Sequence, residues 1–541
     1  MNKKNIIILG GGFAGIYTAM HLERLLSNQK EYELILVNKE NYFVYQPMLA
    51  EIVGGSLGIV DSVSPIHRLL PKTSLHIREI DSIDVNNKTV TLAPQFSHTS
   101  LVLHYEHIVF ALGNSTDFRS TRGLYQHALP FKNLSDALTI RNHLISVLEA
   151  SILEKDPILR KKLLTFVVAG GGFSGTELAA EMNDFIQTFA KRSHGKIDPD
   201  EIEIYLVHSK ERLMDREISE SLSRYAEKIL RSRGVNILFG AKLISATPED
   251  AILNNGTRIE CKTIIATAPS SANSLLETLD LPLEKKRLKT DRTLQVIGKM
   301  NVWAAGDCAY VPLAKSENEP CPPTAQFAIR QAKVLAHNIY ASIHGKKKKT
   351  FNFTSLGMLG ALGHHSAVAE LFGCIKISGL LAWFLWRALY WVKLPGFDRK
   401  VRVAFSWLID MLIPQESVQL KLGEHRALAE VHYEPGEIIF HEGDAGDYLY
   451  IIIDGKIEIY TEREGKKKSI ATLSKGEIFG EQALLNERTR SATAGCLESS
   501  DILALKKADF GALISNLKEF REKVEELEKE RTLKNKKLRE M

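Results

Sequence analysis

The chain has 541 residues, more than one hydrophobic core can organise, so several folding units are expected. Hydrophobic residues at 44% and charged residues at 25% exclude a disordered or low-complexity chain, and a net charge of +5 is too slight to argue for nucleic acid. The five cysteines (Cys261, Cys308, Cys321, Cys374, Cys496) are scattered without a CxxC pair, which argues against a dithiol centre and fits free thiols in a reducing compartment.

The N-terminus opens with lysines and an apolar run of only four residues before its glycines, too short for a signal peptide. Residues 4–9 read as a buried parallel strand, 15–26 as a helix and 32–39 as a second strand, which together make a βαβ unit. The pattern recurs over 162–170, 175–192 and 201–209. Residues 300–312 give a short strand, a glycine and an acid, and a helix follows over 324–343. "HGKKKKTF" (344–351) is a basic hinge. Residues 352–413 are rich in tryptophan and glycine and do not read as a Rossmann unit. "PQESVQ" (414–419) is a linker. From about 430, short strands recur with glycine turns at Gly436, Gly443, Gly455, Gly465 and Gly476, the pattern of an all-β roll, and 515–541 reads as a charged helix.

The expected architecture is α/β: two Rossmann-like dinucleotide-binding domains, a C-terminal subdomain, and a β roll with flanking helices. The boundaries expected are 1–120 and 296–345 for the first domain, 121–295 for the second, 346–414, 420–515 and 516–541. The longest apolar stretch, 379–394, is interrupted by Arg387 and falls short of the roughly 20 residues that span a bilayer, so neither a transmembrane helix nor export is expected.

Two stretches, "IIILGGGFAG" and "FVVAGGGFSG", place Gly10, Gly12, Gly15 and then Gly170, Gly172, Gly175 in G-x-G-x-x-G. The first glycine of each allows the tight turn. The second lets backbone approach a pyrophosphate, and the third lets the helix pack on the strand with its N-terminus toward the phosphates. A lone copy is weak evidence; two copies, each between strand and helix, imply two dinucleotides. The economical pair is a resident FAD and a nicotinamide nucleotide that exchanges. "WAAGDCA" supports FAD, with Gly306 in the turn and Asp307 able to accept from the ribityl chain. The acid that usually ends the second strand is replaced by Asn38 in the first unit, which can still bond a hydroxyl, and by His208 in the second. With Lys210 nearby, either NADH or NADPH fits; an exposed strand end without a role is the other reading.

Across roughly residues 1–345 this layout resembles the two-dinucleotide-binding-domain flavoproteins. Within them the chain looks like type II NADH dehydrogenase in "NYFVYQPML", "PPTAQFAIRQA" and "HHSAVAELFGCIKISGLLAWFLW", out to about residue 414. The family's quinone pattern, A-Q-x-A-x-Q-Q, is matched by Ala325, Gln326, Ala328 and Gln331, with Arg330 in place of the first paired glutamine. The resemblance sets Glu177 beside the nicotinamide; the plainer reading is a helix-start carboxylate favoured by the macrodipole. It implies hydride transfer from NADH or NADPH to flavin and then to quinone, since no cysteine pair lies in the first fifty residues. Lys376 is a further candidate at the flavin–quinone site.

A lipid quinone demands a membrane surface. Trp383, Trp386, Trp391 and Trp407, flanked by Lys393, Arg399, Lys400 and Arg402, suit headgroups. Val401, Phe405, Leu408 and Leu412 fall on one face of an amphipathic helix; a core-facing helix is the alternative. The expected location is cytoplasmic, peripheral on the inner face of the cell membrane.

Residues 430–515 look like a cyclic nucleotide-binding domain, with "GEIFGEQALLNERTRSATA" as its phosphate cassette. The resemblance gives Arg490 the phosphate, Glu481 the ribose 2′-hydroxyl, and Gly480 with a short helix at 483–486 the backbone donors. Ser491 leaves cAMP and cGMP both open. A β roll kept only for docking is the alternative. Leu517, Phe520, Val524 and Leu527 suit a lid face or the seam of a homodimer. No metal site is expected, and "KKKK" and "KKK" read as solvated loops. The rival readings are a sulfide:quinone oxidoreductase using Cys321 and Cys374, and a nucleotide sensor whose flavin part is chiefly a platform.

Overall fold

The computed structural model describes residues 3–94, 100–116, 121, 124–215, 217–267, 270–313, 319–412, 418, 428–444, 448–463, 466–481 and 489–506. The chain divides into two compact units, residues 1–92 with 102–420 and residues 93–101 with 421–541.

The first unit begins with β1 (Lys4–Leu9), whose Ile6, Ile7, Ile8 and Leu9 are wholly buried, as an aliphatic run between two helical layers must be. It continues through α1 (Phe13–Leu25), β2 (Tyr32–Asn38), the short buried helix α2 (Leu49–Gly54), β3 (Ser74–Ile77) and β4 (His107–Phe110). A second set follows: β5 (Leu129–Pro130), α3 (Leu134–Leu153), β6 (Thr165–Ala169), α4 (Phe173–Arg192), β7 (Glu203–Val207), α5 (Glu220–Ser232), β8 (Val235–Leu238) and β9 (Thr263–Ala266). β10 (Val302–Ala304) and α6 (Ala325–Ile343) return to the first set, where α6 packs along α1.

Two parallel five-stranded sheets result, ordered β10-β4-β1-β2-β3 and β5-β9-β6-β7-β8. In each, the strand that feeds the glycine turn is central, and the order reverses beside it. That reversal opens a crevice at the carboxyl ends of the strands.

An antiparallel sheet of β11 (Gly357–Ala361), β12 (Ala367–Leu371) and β13 (Ile375–Ser378) precedes α7 (Leu380–Lys393) and α8 (Phe397–Leu412). Here the tryptophan expectation fails. Trp383, Trp386 and Trp407 are buried against the core, and only Trp391 is exposed, because the indoles are the residues large enough to fill the space under these helices. The outward faces carry Leu381, Phe384, Val392, Phe397, Phe405 and Leu408, all at least half exposed. Val401 also faces out, so the apolar face expected for α8 points outward, and Val403 and Trp407 hold the opposite face inside. Among the described residues no helix is long and apolar enough to cross a membrane.

The second unit is a β roll of β14 (Leu428–Tyr433), β15 (Ile438–Phe440), β16 (Tyr448–Asp454), β17 (Lys456–Arg463), β18 (Lys466–Ser474), β19 (Ile478–Phe479), β20 (Thr493–Cys496) and β21 (Ser500–Lys506). Its antiparallel sheets run β14-β21-β16-β19 and β15-β20-β17-β18 around Tyr450, Ile452, Ile457, Phe479 and Ile502. Gly465, the 483–486 helix, Leu517, Phe520, Val524, Leu527 and the charged helix lie outside the described residues, as does the side chain of Leu412.

Candidate functional site

In the first glycine turn Gly10 has φ +106, and a Cβ there would collide with the Ala111 carbonyl. At Gly15 a Cβ would collide with the Gly10 carbonyl, so α1 can lie close to β1 only without one. Gly12 differs: its φ is −82 and a Cβ would meet nothing within 4 Å. Two glycines are therefore demanded by packing, while the middle one keeps space open in front of the helix N-terminus. That cradle fits a pyrophosphate. Asn38 closes the turn, its Oδ1 accepting from Gly11 N–H at 2.8 Å and its Nδ2 donating to Glu40 O at 2.8 Å.

The second turn repeats the arrangement. Gly170 has φ +121, a Cβ at Gly175 would collide with Gly170 O, and Gly172, with φ −74, is open apart from Glu217 Oε1 at 3.7 Å. His208 takes the place of Asn38, with Nδ1 accepting from Gly171 N–H at 3.1 Å. Its proton therefore belongs on Nε2, which lies 3.6 Å from Asp215 Oδ1. Burial holds the His208 pKa below the usual histidine value against the pull of Asp215, so the ring is neutral.

Gly306, at φ +76, donates its N–H to Gln331 Oε1 at 2.8 Å. Gln331, one of the matched glutamines, thus braces the turn that presents Asp307. Burial raises the Asp307 pKa, opposed by Lys132 and Arg287. Lys132 is a residue the sequence did not single out. It stands alone between an aromatic and a helix cap, and only the fold brings it to Asp307.

Glu177 lies in the second turn of α4, because the helix begins at Phe173. Its Oε1 accepts from Ala361 N–H at 2.9 Å, and burial pushes its pKa up to about 8. Burial of this kind favours the neutral carboxyl, whereas the macrodipole favours the anion. The indole N–H of Trp386 points at Glu177 without reaching hydrogen-bond geometry. An edge-to-face file of rings, Phe13, Tyr45, Tyr390 and Trp386, runs from the start of α1 to Glu177 at centroid spacings of 5.5, 5.9 and 4.7 Å.

Gln326, on α6, donates Nε2 to Ser355 Oγ at 3.0 Å and to Gly357 O at 3.1 Å, fixing the entry to β11. Arg330 stacks its guanidinium 4.1 Å from the Phe353 ring centroid. Lys376 stands apart from Glu177: it is exposed on β13, opposite Glu370, with Nζ 3.3 Å from Ser221 Oγ. Cys321 is buried and Cys374 exposed on the β12–β13 turn, and no disulfide joins them.

In the roll, Arg490 is buried with its guanidinium 4.2 Å from the Phe440 ring centroid. Its Nη1 donates to Gly480 O at 2.8 Å and its Nη2 to Tyr448 O at 2.7 Å. Gly480 has φ +83, and a Cβ there would press on Arg490 Nη1. Glu481 is buried beside it and Ser491 half-buried. Of the four residues expected here, Gly480 and Arg490 are brought together by a direct hydrogen bond.

Residues 4–332 match the pyridine nucleotide-disulphide oxidoreductase family. The chain belongs to that family. Residues 356–414 match the NDH2 C-terminal domain, and 430–516 the cyclic nucleotide-binding domain. Within this oxidoreductase family the chain is 30% identical to demethylphylloquinone reductase NdbB of Synechocystis over 75% of its own length and 96% of the relative's. It is 26% identical to type II NADH:quinone oxidoreductase Ndh of Mycobacterium tuberculosis, over 80% of this chain and 93% of the other. The fold is that of NDH2 from Plasmodium falciparum, solved with NADH, at TM-score 0.70 and 20% identity over 77% of this chain and all of that one. Sulfide:quinone oxidoreductase from Aquifex aeolicus shares the fold at TM-score 0.57 and 18% identity, over 78% and 98%.

Proposed function

We propose that the protein is an FAD-dependent NAD(P)H:quinone oxidoreductase that works at a membrane surface and is regulated by a cyclic nucleotide. The observation that carries the first part is the pair of glycine cradles, each with its middle glycine open in front of a helix N-terminus. Gly10, Gly12 and Gly15 hold the pyrophosphate of FAD at α1, and Asp307, braced through Gly306 and Gln331, takes a ribityl hydroxyl. Gly170, Gly172 and Gly175 hold the nicotinamide nucleotide at α4. Asp215, beside His208, restores a carboxylate at the strand end and disfavours a 2′-phosphate, which supports NADH over NADPH. Bound FAD supplies the electron relay from nicotinamide to quinone.

Glu177 holds a proton at neutral pH. Since Oε1 accepts from Ala361 N–H, the proton sits on Oε2, available to the reacting rings. Gln326 fixes the 355–358 segment where α6 meets the C-terminal subdomain, the side from which quinone enters. The outward Leu381, Phe384, Phe405 and Leu408 seat α7 and α8 in a lipid surface, on the inner face of the cell membrane. In the roll, Arg490 exchanges its carbonyl partners for the charged phosphate of cAMP or cGMP, a stronger bond, and Glu481 accepts the 2′-hydroxyl.

The purified protein should show a flavin spectrum that NADH bleaches and a soluble quinone restores. A spectrum without flavin, or a flavin inert to both NADH and NADPH, overturns the reading. Changing Cys321 and Cys374 together to serine should leave NADH oxidation unchanged, which would exclude the sulfide reading.

A further inference from the structure

One face of α4 carries Glu177, Glu181 and Asp184 at helical spacing, and the fold closes other charges over it. Glu181 is buried, with Oε2 3.2 Å from Ser56 Oγ. From α2, Glu51 is buried beside it, with Oε2 accepting from the Trp407 indole at 3.2 Å and Oε1 3.7 Å from Arg387. From α7, Arg387 is buried between the rings of Trp383 and Trp407, at 3.9 and 4.9 Å. From α8, the Asp410 side chain is 4% exposed and lies 3.5 Å from Arg387, while its Oδ1 has no hydrogen-bond partner. From α3, Arg141 is tied to Ile52 O. Asp184 pairs with Arg233 at 3.3 Å and accepts from His364 N–H at 2.7 Å, next to His365, which is exposed.

The charges do not balance if every acid is ionised. Asp184 has Arg233. Arg387 pairs with Glu51 and Asp410, and among the described residues no cation is ion-paired with Glu181 or Glu177. Unpaired buried carboxylates are too costly to persist, so the cluster keeps protons instead. Asp184, Glu181 and Glu177 follow one another along this face of α4 toward its N-terminal end, and Asp184 lies next to the exposed His365.

This bears on the proposed activity, and the following rests on that reading. Reducing a quinone to a quinol takes two electrons and two protons. The hydride of NADH brings both electrons and one proton, and the other must come from water through a site closed by the C-terminal helices. We propose that Glu181, with Glu51 beside Arg387, stores this second proton and passes it to Glu177, with Asp184 and His365 as the way in from solvent. In this proposal Glu181 is a proton-storing residue that acts through Glu177 rather than a catalytic residue. The burial that raises the pKa of Glu181 well above the usual carboxyl range, and that of Glu51 to about 7, agrees with storage at neutral pH.

Two measurements test it. Infrared spectra of the oxidised holoprotein at pH 7, without substrate, should contain a buried carboxylic-acid C=O band that Glu181→Gln removes and Glu181→Asp keeps in shifted form. In stopped flow, Glu181→Gln should leave flavin reduction by NADH unchanged but slow reoxidation by a soluble quinone about tenfold or more above pH 7, with Glu181→Asp restoring part of the rate. A wild-type spectrum without that band, or a glutamine variant that reoxidises at the wild-type rate and pH profile, overturns the proposal. A flavin that NADH never reduces would instead overturn the functional reading beneath it. FAD content and circular dichroism of both variants show whether they fold, and Glu51→Gln gives the same comparison from α2.

Discussion

Burial gives Glu177 a pKa of about 8 against an ordinary 4.5, so between those values the folded chain keeps a proton that the unfolded chain releases. The native state then binds more protons, and stability falls as pH rises through this window. We expect the wild-type melting temperature to drop between pH 5 and pH 8, and Glu177→Gln, whose removal of this linkage is worth on the order of a few kcal/mol, to flatten part of that drop. Glu51 and Glu181 titrate in the same sense and keep the slope from vanishing. Melting curves of the two proteins across that range check it; parallel slopes would contradict a neutral Glu177. At the same scale, Gly172 has φ −74, which any residue adopts, and open space where its Cβ would be. Gly172→Val should fold, keep FAD and lose NADH affinity by about tenfold or more, read by flavin bleaching against NADH concentration. Gly12→Val should instead lose the flavin.

The elements differ in how far the sequence disclosed them. The glycine turns were legible because packing demands Gly10, Gly15, Gly170 and Gly175 at fixed spacing, and such demands leave a pattern. The outward face of α8 was legible from its period, but the tryptophans misled, since an indole suits both a headgroup layer and a core gap, and only the packing under α7 decides which. The acidic face of α4 was not legible. Three- and four-residue spacing puts Glu177, Glu181 and Asp184 on one face but does not say what covers it, and the cover supplied by α2, α7 and α8 comes from segments more than a hundred residues distant in the chain. Gln331, read in the quinone pattern, also accepts from Gly306 N–H, a role that the pattern alone does not disclose. For α8 the structure makes a direct prediction. Phe405→Asp with Leu408→Asp changes exposed side chains only, so folding and reduction of a soluble quinone should persist. Binding to anionic vesicles should fall about tenfold or more, measured by co-sedimentation. Unchanged sedimentation would remove α8 from the membrane surface.

At the scale of the molecule, an oxidoreductase and a cyclic nucleotide-binding domain share one chain, and their fusion is the ground for proposing regulation. A nucleotide alters turnover only by as much as its affinity differs between two states of the enzyme. Binding and coupling are therefore separate questions and call for separate readouts. Ligand at about a hundred times its dissociation constant stabilises the state that binds it by about 2.7 kcal/mol. Either cAMP or cGMP should thus raise the melting temperature of the roll in the intact protein, and Arg490→Ala, which removes the buried guanidinium beside Gly480, should abolish that rise while leaving flavin content unchanged. NADH:quinone turnover measured with and without the same nucleotide then decides coupling. A change present in wild type and absent in Arg490→Ala assigns it to the roll. Stabilisation without any change in turnover would mean that the nucleotide binds equally well to every state the catalytic cycle visits, and the regulatory part of the proposal would fall while the oxidoreductase part stood.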